Sequence, residues 1–258
     1  VEMIYIIGGG GFLGSAFVRF CQKNLIDYIS ISRKNYSKYI GTSCQLLINA
    51  NGNSKKYMAD RDEVGEFDAS VRSVKSSLID FHYDYYVHMS SCDVYDDCNG
   101  ADTLEDSLIN LSKVSNYGFH KYLAELCVQK KADNWLIFRM GGFVGPQLKK
   151  NAIFDIIEGH GIWVNPESEF QFLHTDDAAK IVFNIVNKGI YNEIFNLAGN
   201  GTIKIKDVIK ISQRKALSFN SAIKVAYNVP TDKIKKHADI PCTLTTIENF
   251  MNNTKKII

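Results

Sequence analysis

The chain has 258 residues, 45% of them hydrophobic and 22% charged, with a formal net charge of +2. That length buries a sizeable core in one or two lobes, and the near-balanced charge excludes the electrostatic signature of a nucleic-acid or anionic-membrane binder. No apolar run approaches the roughly 18 residues a membrane-spanning helix needs.

Residues 3–7 are apolar and β-branched without polar alternation, as suits a buried parallel strand. Gly8-Gly9-Gly10-Gly11-Phe12-Leu13-Gly14 follows at once, and residues 15–21 then read as a helix. A strand, a glycine turn and a helix N-terminus make a site for a dinucleotide pyrophosphate. Gly8 permits the turn, Gly11 lets the backbone approach the phosphates, and Gly14 lets the helix pack on the strand. A second strand over 28–31 ends in Ser32-Arg33-Lys34. An acidic residue about 20 positions past the glycines would bind the ribose hydroxyls of NAD; cations stand there instead. Arginine's forked donors suit a 2′-phosphate, so NADP(H) is expected in preference to NAD(H).

Residues 46–48 form a further apolar strand. Residues 114–131 read as a helix with Tyr117, Lys121, Glu125 and Val128 near one face. Tyrosine and lysine four apart lie one turn from each other. A free phenol, with a pKa of about 10, is a poor acid–base at neutral pH; a neighbouring ammonium and a bound nicotinamide's charge would lower that value. After Pro146 the pattern becomes mixed: helices over 152–158, 176–187, 205–213 and 244–251, and strands over 161–164, 170–173, 193–197 and 223–227. Alternating strands and helices over 1–145 predict an α/β fold, a Rossmann-type doubly wound parallel sheet. Residues 175–198 are expected to return to it. Residues 146–174 and 199–258 are expected to form a small substrate-binding lobe.

Taken together, these segments resemble the extended short-chain dehydrogenases/reductases, the NAD-dependent epimerase/dehydratase family. The resemblance is carried by the glycine turn, by Val87-His88-Met89-Ser90-Ser91-Cys92-Asp93-Val94-Tyr95, by Leu104-Glu105-Asp106, and by residues 117–125. It continues through Leu136-Ile137-Phe138-Arg139-Met140-Gly141-Gly142-Phe143-Val144-Gly145-Pro146, Phe172-Leu173-His174-Thr175-Asp176-Asp177 and Phe195-Asn196-Leu197-Ala198-Gly199. It implies that Ser91 orients the reacting oxygen, that Tyr117 is the acid–base, and that Lys121 clamps the ribose and supports the phenolate. It also implies that Asn49-Ala50-Asn51-Gly52 passes behind the nicotinamide ribose, although a polar residue ending a strand is equally an ordinary turn.

Departures from the family narrow the reading. Sugar dehydratases carry acids at both positions after the catalytic serine or threonine; Cys92 and Asp93 break that pair. Members that epimerise and reduce can carry cysteine two positions after the serine, where this chain has Asp93, a candidate for proton exchange or a turn cap. Members that bind a nucleotide diphosphate have arginine where Phe170 precedes Gln171, so Lys149 or Lys150 is the substitute cation expected. The connection from Arg33 to Leu46 holds about a dozen residues, too few for a further crossover helix and strand, since the crossover alone takes roughly ten to twelve. An adenine side more open than usual is expected.

The resulting expectation is an NAD(P)-dependent 4-ketoreductase of a nucleotide sugar, with Cys92, Asp93, Lys149 and Gln171 as substrate contacts. A nucleotide-sugar epimerase, a ketoreductase of another ketone, and a cofactor-sensing or scaffold protein are the alternatives. Neither nucleic acid nor membrane is expected as a partner, and the reading is compatible with a homodimer. The chain opens directly on a strand, so no leader is expected. Cys21, Cys44, Cys92, Cys98, Cys127 and Cys242 contain no Cys-x-x-Cys pair, and the histidines show no ligand spacing. Neither a metal nor a disulfide framework is expected, and a reducing cytoplasm suits the chain.

Overall fold

The computed structural model describes residues 3–53, 56–100, 103–214 and 223–255. Its strands are β1 (Ile4–Ile7), β2 (Tyr28–Ile31), β3 (Ser43–Asn49), β4 (His82–Ser91), β5 (Trp135–Met140), β6 (Gly142–Val144), β7 (Glu169–Phe170), β8 (Phe172–His174), β9 (Glu193–Leu197) and β10 (Ile203–Lys204). Its α-helices are α1 (Gly14–Lys23), α2 (Met58–Arg61), α3 (Glu63–Phe67), α4 (Ser73–Asp80), α5 (Asn116–Lys131), α6 (Ala152–Glu158), α7 (Thr175–Val186), α8 (Ile205–Ser212), α9 (Asp232–Lys235) and α10 (Thr243–Lys255).

The main sheet has six strands in the order β2-β1-β3-β4-β5-β9, and all its pairings are parallel. It is covered on both faces, which is why its strands are apolar runs rather than alternating ones. Successive side chains still point to opposite faces. Ile4 and Ile6 enter one core with Phe17 of α1 and Phe183 of α7. Tyr5 and Ile7 enter the other with Leu78 of α4 and Val128 of α5. This is the doubly wound sheet expected from the sequence.

After β2 the chain makes only a short 3-10 turn over Tyr36–Tyr39 and then enters β3. β3 pairs with the other side of β1, leaving β2 at the edge of the sheet. The strand order therefore reverses between β1 and β3, and open α/β sheets bind their ligands outside the carboxyl ends of such strands.

Beyond β5, β6 pairs with β8 and β7 with β10, each as a separate two-stranded sheet. With α6, α8 and α10 they enclose a core that includes Val144, Ile153, Phe172, Val208 and Ile247. The intervening α7 packs against α1, and β9 pairs with β5.

Four expectations need correction. Residues 170–173 do not form one strand: β7 pairs with β10 and β8 with β6, on either side of Gln171. Residues 161–164 form no strand; Ile162 is buried and makes a single bridge, while Trp163 is exposed. The expected strand at 223–227 reduces to isolated bridges, Ala226 with Glu169 and Asn228 with Asn99. The segment changes partner within three residues, so no ladder extends. The helix expected over 114–131 begins at Asn116 rather than Val114, because the Ser115 side chain accepts from the Gly118 amide and caps it.

Candidate active site

The glycine turn and the loop after β3 stand side by side at the point of strand reversal. The Gly8 amide donates to Ile31 O at 2.8 Å and the Gly11 amide to Gly8 O at 2.8 Å. A Cβ on Gly14 would stand 2.0 Å from the Gly8 carbonyl oxygen, so only glycine lets α1 begin against this turn. No side chain caps α1, which leaves its N-terminus able to receive an anion. Leu13 is buried in the core and Phe12 packs against it.

Across the crevice, Asn49 is fully buried. Its Nδ2 donates to Tyr86 Oη at 2.8 Å and Ser77 Oγ at 3.1 Å, and its Oδ1 accepts from the Asn51 amide at 3.0 Å. The Asn49 side chain thus shapes the loop, and the backbone of Ala50 and Asn51 runs closest to Gly8. At the end of β2, Ser32, Arg33 and Lys34 are exposed. Asn35 holds their turn by accepting from the Ser32 amide at 2.7 Å and Ser32 Oγ at 3.0 Å. A glycine turn in which a Cβ at Gly9 or Gly14 would collide with its neighbours, two loops at the strand reversal and exposed cations beside them fit a dinucleotide.

The residues expected to form an acid–base group lie at the same end of the sheet. Ser91 ends β4, and Tyr117 and Lys121 occupy successive turns of α5. All three are buried. The Tyr117 hydroxyl donates to Asn53 O at 3.2 Å; Ser91 is a further hydrogen-bond partner that lowers the phenol's proton affinity. Lys121 Nζ lies 5.3 Å from the centre of the Tyr117 ring. Gly118 makes the approach of α5 possible: a Cβ there would lie 1.8 Å from the Asp93 carbonyl oxygen.

The electrostatics differ from the expectation. Burial, and then the Asp93 carboxylate, push the Tyr117 phenol upward, against Lys56. The Lys121 ammonium is lowered to about 8 by burial, opposed by Glu66 and Asp93. Tyr117 is therefore held as a protonated phenol.

Asp93 gathers partners that sequence reasoning missed. Lys56 Nζ lies 2.5 Å from Asp93 Oδ1, and the Tyr227 hydroxyl donates to the same oxygen at 2.9 Å. Tyr227 stacks on Phe170 with ring centres 5.5 Å apart, so the position where the family's arginine was sought belongs to an aromatic wall. Lys56 lies in a polar loop and Tyr227 in a segment more than a hundred residues beyond Asp93, and no local motif marks either.

The remaining expected substrate contacts do not converge here. Cys92 is buried, its thiol donating to Arg139 O at 3.3 Å. Gln171 is buried and tied to Gly199 O at 3.1 Å, Val229 O at 3.0 Å and the Val229 amide at 2.8 Å. Both side chains are engaged within the protein. Lys149 is exposed on the loop before α6. A cleft of about 590 Å³ opens beside Asp93 and Tyr227, with Asp96, Asp97, Lys113 and Lys224 also on its walls.

His88 lies beneath the site, in register with Asn49 and Ile137. It is buried, and neither ring nitrogen meets a partner among the described residues. Burial, and then Lys121, lower its pKa to about 3 from the ordinary 6.5. The unfolded chain accepts a proton near pH 6.5 that native His88 refuses, so its contribution to stability is complete above that pH. It is lost as pH falls from about 6.5 towards 3, at up to about 1.4 kcal/mol per pH unit. Urea unfolding at pH 7 and pH 5 should show a smaller acid loss for His88→Leu than for the native chain; equal losses would refute this assignment.

Residues 74–198 match the model of the NAD dependent epimerase/dehydratase family. Among curated proteins, none matches the sequence significantly. Several solved structures share the fold. MoeE5 in complex with UDP-glucose and NAD has a TM-score of 0.85 at 14% identity, covering 100% of this chain and 99% of that one. A UDP-glucuronic acid 4-epimerase variant from Bacillus cereus, in complex with a fluorinated UDP-glucuronic acid and NAD, has a TM-score of 0.83 at 18% identity, covering 99% and 100%. The dTDP-4-dehydrorhamnose reductase of Bacillus anthracis str. Ames, in complex with NADP, has a TM-score of 0.78 at 15% identity, covering 98% of each chain.

Proposed function

The chain belongs, through residues 74–198, to the NAD dependent epimerase/dehydratase family, and on that premise we propose that it is an NADP(H)-dependent 4-ketoreductase of a nucleotide-activated sugar. The observation that carries the reading is that Ser91, at the end of β4, and Tyr117 and Lys121, on the first turns of α5, are all buried beside the loop after β3, where the Tyr117 hydroxyl donates to Asn53 O. The glycine turn and the N-terminus of α1 would hold the pyrophosphate, Arg33 the 2′-phosphate, and Lys121 the nicotinamide ribose. The bound cofactor supplies hydride. Tyr117 gives its phenolic proton to the substrate oxygen, and Ser91 orients that oxygen. The smaller lobe closes over the sugar.

Reduction is favoured over dehydration because Cys92-Asp93 lacks the adjacent acid pair that dehydration uses. The exposed cations Arg33 and Lys34 favour NADPH, and titration should give tighter binding of NADPH than of NADH. A tenfold preference for NADH would overturn that choice.

Nucleoside diphosphates and their sugars, screened by thermal shift with NADP present, test the substrate class. A ligand at a hundred times its Kd adds about 2.7 kcal/mol of stability. No shift with any of them would leave a ketoreductase of another ketone. Consumption of NADPH with the matching 4-keto sugar separates a reductase from an epimerase, which would use the same Tyr117 without net oxidation.

A further inference from the structure

Asp93 stands where three parts of the chain meet. It follows Ser91 at the end of β4, Lys56 reaches it from the loop after β3, and Tyr227 comes from the smaller lobe. Its Oδ1 lies 2.5 Å from Lys56 Nζ and accepts from the Tyr227 hydroxyl at 2.9 Å. Its Oδ2 accepts from Ser91 Oγ at 2.8 Å. Lys56 also donates to the Tyr227 hydroxyl at 2.9 Å and lies 4.7 Å from the centre of that ring. A turn cap requires none of this. The short turn Cys92–Val94 is capped by Ser91, whose Oγ accepts from the Asp93 amide at 3.2 Å.

We propose that Lys56 is a positioning residue of the active site: its ammonium clamps Asp93 Oδ1 so that Oδ2 stays turned to the Ser91 hydroxyl, and it supplies the counter-charge that lets a carboxylate stand beside Tyr117. The inference rests on the reading of Tyr117 as proton donor.

The surrounding groups explain why a counter-charge is needed. Tyr117 feels carboxylates from two sides, Asp93 after β4 and Glu66 on α3. Glu66 is itself held by His120 of α5 and by Ser70. Lys121 of α5 is a second cation on which both carboxylates act. Cys92 and Cys98 also lie in the field of Asp93, and both are raised chiefly by burial, while burial and Asp93 raise Tyr227. Among the described residues, Lys56 is the ammonium in contact with Asp93. The Lys56 side chain is half exposed, and Asp93 and Tyr227 hold its charge. Deleting the ammonium leaves the mostly buried Asp93 carboxylate with two neutral hydroxyl donors, Ser91 and Tyr227.

The test is a nuclear magnetic resonance titration of the full chain carrying carbon-13 at aspartate Cγ and tyrosine Cζ. The Asp93 signal is assigned by its loss in Asp93→Asn and the Tyr117 signal by its loss in Tyr117→Phe. Lys56→Met should move the Asp93 carbon-13 signal from its native position at neutral pH, and Lys56→Arg should return it most of the way. Asp93→Asn should let Tyr117 ionise at a lower pH than in the native chain. An Asp93 signal unmoved by Lys56→Met overturns the clamp, and a Tyr117 signal unmoved by Asp93→Asn overturns the counter-charge. Neither measurement needs a substrate, so their failure is distinct from failure of the proton-donor reading, which turnover of Tyr117→Phe decides.

Discussion

Tyr117→Phe is expected to reduce turnover by about 10²–10⁴-fold, the usual worth of a positioned acid–base group, while cofactor affinity stays within a few-fold. The ring is buried, and its hydroxyl makes one geometric bond, to Asn53 O at 3.2 Å, beside its contact with Ser91. Phenylalanine fills the same volume, so the fold should tolerate the change. The cofactor contacts proposed for the glycine turn and Lys121 remain. Steady-state kinetics with the 4-keto sugar found by screening, together with fluorescence titration of NADPH, separate the two quantities. A variant that keeps most of its activity would make Tyr117 an ordinary helix residue and would favour a sensing or scaffold role. A variant that loses cofactor binding as well would point to a damaged site rather than a missing proton.

The largest effect on stability is expected at Glu125. Arg139 on β5 is almost wholly buried, and Glu125 of α5 is its counter-ion. Two guanidinium nitrogens reach the carboxylate, Nε at 3.1 Å and Nη2 at 2.8 Å, while Nη1 donates to Tyr95 Oη at 3.0 Å. Ser90 Oγ also donates to Glu125, at 2.5 Å. Glu125→Leu strands a buried guanidinium, and breaking such a pair typically removes about 3–5 kcal/mol. That is a large share of the roughly 5–15 kcal/mol by which a folded protein is stable. Chemical unfolding should show a lower midpoint at nearly unchanged slope. Adding Arg139→Met, which removes the stranded charge, should recover part of the loss. If the double variant were no better than Glu125→Leu alone, lost packing rather than unpaired charge would be the cause.

The fold was legible where the sequence carries its own periodicity. Residues 3–7 had no polar alternation because β1 is covered on both faces. The gap between Arg33 and Leu46 was too short for a crossover unit, and a single turn lies there. The small lobe was less legible. Its strands are two or three residues long, and their partners are set by distant segments, as when Tyr227 N donates to Glu169 O at 2.8 Å while Asn228 N donates to Cys98 O at 2.7 Å. Local pattern cannot reveal such changes of partner.

The site divides along the same line. That Ser91, Tyr117 and Lys121 are neighbours was legible through the family resemblance and, for the last two, through their spacing on one helix face. Cys92 and Gln171 were visible as motif neighbours, but motif adjacency does not say which way a side chain points, and both are engaged in the interior. Lys56 and Tyr227 left no trace, since their relation to Asp93 exists only in three dimensions.

The abbreviated passage from β2 to β3 bears on how long a cofactor would stay. A dinucleotide walled in at both ends leaves slowly and behaves as a resident group, which suits a reaction that returns its hydride within one cycle. Here β2 is the last strand of the sheet and a short turn is all that follows it, so the adenosine end would be shielded from one side fewer. Shorter residence is the kinetic property of a carrier exchanged at every turnover, and a reductase consumes its cofactor in that manner.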